Sequence, residues 1–116
     1  MTEEVKTLIL RYTNGAKSRV QSGNDLGKRI VEIFQLVDKT YEPFTNEELV
    51  GAFLGLNMAI TIVQATKTNL PEDGGVVFNT REANFASGET LDMVNRSLSI
   101  DIFVVCLIIE KRGFIK

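Results

Sequence analysis

Apolar residues in this chain recur at spacings of three and four along four stretches, the period of helices and not of strands. The densest stretch is the last quarter. Leu91, Val94, Leu98, Ile102, Val105 and Ile109 form one stripe of a helix predicted over 89–112. From Ile102 to Ile109 every residue is apolar, so that half of the helix must be surrounded by other helices. Lys111 and Arg112 sit where cations favour the helix dipole, and Gly113 can take the left-handed conformation that ends a helix.

Three further helices precede it. Thr2 can cap a helix over 3–22 in which Val5, Leu8, Ile9, Tyr12, Ala16 and Val20 keep the helical period. Asn14-Gly15 offers a hairpin over 5–20 as the competing reading, but Ala16–Val20 alternates poorly. Helix is preferred, with a break or kink at Gly15, because glycine costs about 1 kcal/mol in a helix. Asn24 or Asp25 can cap the next helix, 25–41, whose stripe is Leu26, Ile30, Ile33, Phe34, Val37 and Tyr41 and whose stop is Pro43. Thr45-Asn46-Glu47-Glu48 is a capping box, stapled by Phe44 and Leu49, that opens a helix over 46–67.

The third helix carries a long apolar run, Leu49 to Ala65. Asn57, Thr61 and Gln64 interrupt it and a bilayer span takes about 20 mostly apolar residues, so a core helix and no membrane partner are expected. Gly51, Gly55 and Ala59 recur every four residues as a groove for close helix packing, within the chain or across a dimer. Asn57 is expected to be a satisfied core amide or a register-fixing pair.

Residues 70–88 break the pattern. Leu70–Gly75 reads as a turn or loop, and after it the chain fits either a short helix capped by Asn79 or a hairpin of 76–78 with 84–86. Both readings stay open. The predicted fold is therefore an all-α bundle of about four helices in one domain, 1–116, with a loop or short hairpin inserted before the last helix.

Composition narrows the chemistry. The chain has no histidine, which removes the usual serine and cysteine triads and His-based metal sites. Its one cysteine, Cys106, lies in the apolar run and is expected to be a core residue. No charged and then apolar leader opens the chain, so a cytoplasmic location is expected. Charge is segregated: residues 1–29 hold six cations against three acids, and residues 30–110 hold four against twelve. The basic arm of Lys6, Arg11, Lys17, Arg19, Lys28 and Arg29 makes nucleic-acid binding a further, less favoured reading, against the acidic body.

Two sets of residues are candidate sites. Connections as long as 69–88 are usually functional or disordered, and Arg81, Glu82, Asn84 and Phe85, with Arg96 beyond them, combine arginine with a stacking ring suited to a nucleotide or other anionic ligand, or to a protein partner. The favoured function is thus a small, self-associating binding module with no cofactor, more a binder than an enzyme. The second set is Glu47-Glu48 with Glu89-Thr90-Leu91-Asp92, which resembles the paired carboxylates of the MazG-type helical nucleotide pyrophosphohydrolases. That resemblance implies magnesium held by Glu47, Glu48, Glu89 and Asp92, polarising a phosphoanhydride. The sequence departs from the pattern at Gly51, where the family has a third glutamate, and in the long gap between the pairs.

Overall fold

The computed structural model describes residues 1–68 and 88–115. Among them are four helices and no strand: α1 (Glu3–Ser22), α2 (Asp25–Tyr41), α3 (Asn46–Thr68) and α4 (Gly88–Arg112). The predicted helices agree to within one residue at each end. The question of helix, hairpin or loop over 70–88 falls on residues outside the described ones, except that Gly88 opens α4.

Each boundary has a local cause. Thr2 Oγ1 accepts the Val5 amide at 3.2 Å and Asn24 Oδ1 the Gly27 amide at 2.7 Å. At α3 the capping box closes in both directions: the Glu48 amide donates to Thr45 Oγ1 at 3.1 Å, and the Thr45 amide donates to Glu48 Oε1 at 2.9 Å. Caps of this kind stabilise a helix by about 1 kcal/mol. Gly23 and Gly113 end α1 and α4 at φ 70 and 71, and their amides reach back to carbonyls of the last turn. Glu42 keeps helical angles before Pro43, so α2 stops for want of the amide that proline lacks and not through strain in the preceding residue.

The break predicted at Gly15 is absent, and α1 runs through it. Packing explains this. Gly15 faces the Phe103 ring, and Arg19 folds back to donate to the Gly15 carbonyl at 3.0 Å with its guanidinium 4.8 Å from that ring's centre. Tertiary contact outweighs weak helix propensity here. Gly27 is required for a different reason: a Cβ there would lie 2.0 Å from the Arg19 carbonyl oxygen, where α2 crosses the end of α1.

α4 is the centre of the bundle. It packs against α1, α2 and α3, whereas α3 packs chiefly on α4. Ile102 to Cys106, Ile108 and Ile109 are buried, met by Ile9 and Ala16 of α1, Ile30 of α2, and Leu49, Phe53 and Ile60 of α3. The Tyr12 ring bridges Phe53 at 5.7 Å and Phe103 at 5.9 Å. Val94, expected in the α4 stripe, is instead exposed. Cys106 is a core residue as expected, and burial pushes its thiol up to about 12 even though the Thr13 hydroxyl bonds to it.

Arg112 closes the far end. Its guanidinium donates to the carbonyls of Phe44, Tyr41 and Glu42 at 2.5, 2.7 and 3.2 Å, tying the end of α4 to the turn between α2 and α3. The dipole explains only part of a cation at this position.

Candidate interaction surface

At 3.6 residues per turn, Gly51, Leu54, Gly55, Met58, Ile62 and Ala65 fall on one stripe of α3. All six are exposed, while Leu49, Phe53 and Ile60 on the other side are buried. The helix is thus apolar on two faces, and the other described helices cover one. Leu54, Met58 and Ile62 stand one above another at 41%, 65% and 57% exposure. Single exposed apolar residues are ordinary; here three of them line up on one face of one helix. From Leu49 to Thr66 the helix carries no charge.

This revises the expectation of a core helix. Asn46–Lys67 is long and apolar enough to cross a membrane by length and composition, and only 17% of its apolar window is buried. The expected groove does not take up another of the described helices. Among the described residues, a Cβ added at Gly51 or Gly55 would meet nothing within 4 Å, so neither glycine makes room for a described neighbour. Asn57 is half-buried and not a core residue; its Oδ1 accepts the Tyr12 hydroxyl at 3.5 Å, a long bond directed towards α1.

The candidate sites are distributed as follows. Arg81, Glu82, Asn84 and Phe85 lie outside the described residues, and Arg96 is exposed on α4. The carboxylate pairs do not come together. α3 and α4 run antiparallel, since Lys67 pairs with Asp92 at one end while Arg112 donates to Asn46 Oδ1 at the other. Glu47 and Glu48 therefore sit a helix length, about 30 Å, from the Glu89–Asp92 turn. One magnesium ion cannot span that gap, and Glu48 is occupied in its cap. Among the described residues no three carboxylates or thiols gather to hold a metal.

The basic arm is partly engaged within the chain. Lys6 pairs with Glu3, Lys17 with Glu110 at 2.7 Å and Arg29 with Glu32, while Arg19 lies over Phe103. The cleft of about 300 Å³ beside Tyr41 and Ile108 is similar in kind: Lys111 donates to Asp38 at 2.6 Å and Arg112 to the carbonyls named above. These cations already have partners. The chain matches no protein-family model, and neither a curated protein nor a solved structure is significantly similar to it.

Proposed function

We propose that this protein is a helical interaction module that associates with itself through the exposed stripe of α3. One observation carries the reading: two glycines that serve no packing among the described residues stand on the same stripe as three aligned, exposed large side chains. Each glycine inside a helix costs about 1 kcal/mol. What a bare backbone provides is close approach for another backbone, which a helix partner needs and a small ligand or lipid chain does not. A second reading, in which α3 meets a bilayer, draws support from its length and composition.

The test is the molecular mass in solution over a concentration series. A stripe along one helix is a narrow contact beside the roughly 800 Å² per partner of a standard interface, so the series extends to millimolar. We expect a species at a multiple of 12.9 kDa that Met58→Glu returns to the monomer with its helical circular dichroism unchanged. A chain that stays monomeric throughout but floats with phospholipid vesicles would replace this reading with the bilayer one. The anionic-ligand reading of Arg81 and Phe85 is separate, and predicts that Arg81→Ala leaves the mass unchanged while weakening nucleotide binding.

A further inference from the structure

We infer that two copies pack α3 against α3 antiparallel, across a two-fold axis beside Met58, with Ile62 of each copy seated in the hole formed by Gly51, Leu54, Gly55 and Met58 of the other. This deepens the proposed self-association and rests on it.

The inference comes from where the hole and the knob lie on one helix. Residues at i, i+3, i+4 and i+7 form the four corners of a hole that receives a side chain from a facing helix. On α3 the exposed set Gly51, Leu54, Gly55 and Met58 has that spacing. Two of its corners are glycine with open space above them, so the hole is deep. The side chain able to fill it is Ile62, 57% exposed and one turn beyond Met58.

Orientation follows from this spacing. In a parallel, in-register pair Ile62 would face the partner's Ile62, and the glycines would face each other across unfilled space. Turning one helix end for end brings Ile62 to the partner's hole, centred between Leu54 and Gly55. The two-fold then falls beside Met58 and seats both isoleucines at once. The remaining pairs match in size: Leu54 lies next to the partner's Ile62, Gly51 next to Ala65, and Met58 next to itself.

Charge points the same way. The stripe's only ionised residue within the described helix is Glu47, at its N-terminal end. A parallel pair would set the two Glu47 carboxylates and two helix N-termini side by side. The antiparallel pair separates them and opposes the helix dipoles.

Engineered cysteines distinguish the arrangements. The native thiol is a silent background, because Cys106 is buried. In the antiparallel pair Met58→Cys forms a disulfide with itself. Ile62→Cys alone does not, since the two positions lie about 11 Å apart along the axis, beyond the reach of a disulfide. Mixing Leu54→Cys chains with Ile62→Cys chains is expected to give the mixed disulfide. Ready homodisulfides of Ile62→Cys and Leu54→Cys with no mixed product would overturn the orientation while leaving self-association standing. A wild-type chain that is monomeric at every concentration would overturn both.

A second variant tests the hole itself. Gly55→Leu enlarges the apolar face but fills the hole, and is expected to weaken association on the order of tenfold or more. Tighter association would show that the face is merely sticky, and would overturn the knob-and-hole arrangement.

Discussion

α3 and α4 are the two most apolar helices of the chain, and they use that character in opposite ways. α4 is surrounded: Ile102, Val104, Val105 and Cys106 are at most 1% exposed. α3 has Leu49 and Phe53 equally buried on one side, and Met58 two-thirds exposed on the other. The contrast shows that apolar composition fixes how much covering a helix needs, not where the covering comes from. α4 obtains it from three helices of its own chain. α3 obtains half from α4, and we propose that the other half comes from a second copy.

The contrast can be broken most forcefully within α3. Phe53→Ala should cost about 3–5 kcal/mol, as expected for a buried aromatic ring, whereas Met58→Ala, measured in dilute protein, should change stability by less than about 0.5 kcal/mol. Urea unfolding of both variants at low micromolar concentration checks this, and similar losses would mean that α3 has no outer face. Gly51→Ala has the next largest effect, and its sign depends on concentration. The added methyl meets nothing among the described residues, so dilute protein should gain about 1 kcal/mol from helix propensity. Concentrated protein should lose association, and unfolding curves at two concentrations separate the terms.

The smallest effect belongs to α4. Desolvation by its neighbours raises the Asp101 carboxyl above its ordinary value, although the residue is exposed. Folding therefore favours its protonated form, and the ionised form costs stability at pH values above its folded pKa. That cost fades as pH falls through the carboxylate range. Asp101→Asn should accordingly be slightly more stable than wild type at pH 7 and no different near pH 3, as read from melting temperatures at the two pH values. A larger gain at low pH would contradict the assigned cause.

The helices were legible because their ends are made locally. Thr2, Asn24, Thr45 with Glu48, Gly23 and Gly113 act within four residues of themselves, so their chemistry can be read from spacing alone. What α3 faces was not legible. Leu54 and Ile62 are as apolar as Leu49 and Ile60, and only the position of α4 makes one pair outer and the other inner. Gly15 failed in the other direction, since the ring that holds it in the helix, Phe103, lies 88 residues away. The carboxylate pairs share a helical spacing that is real on each helix, but the antiparallel packing of α3 and α4 separates them. The surface stripe had a partial signal in Gly51 and Gly55, whose repeat indicated close packing without indicating on whom.

The place of α4 in the bundle also sets an order of events during synthesis. The helix that gathers the others leaves the ribosome after all of them. Until it emerges, α1 and α2 have only each other, α3 lacks the helix on which it chiefly packs, and α3 shows apolar residues on both sides. At translation rates of about 5–20 residues per second, α3 waits a few seconds in that state. Under the self-association we propose, the outer stripe is open to another α3 before the inner face is covered, so neighbouring ribosomes on one message offer newly made chains an early chance to pair.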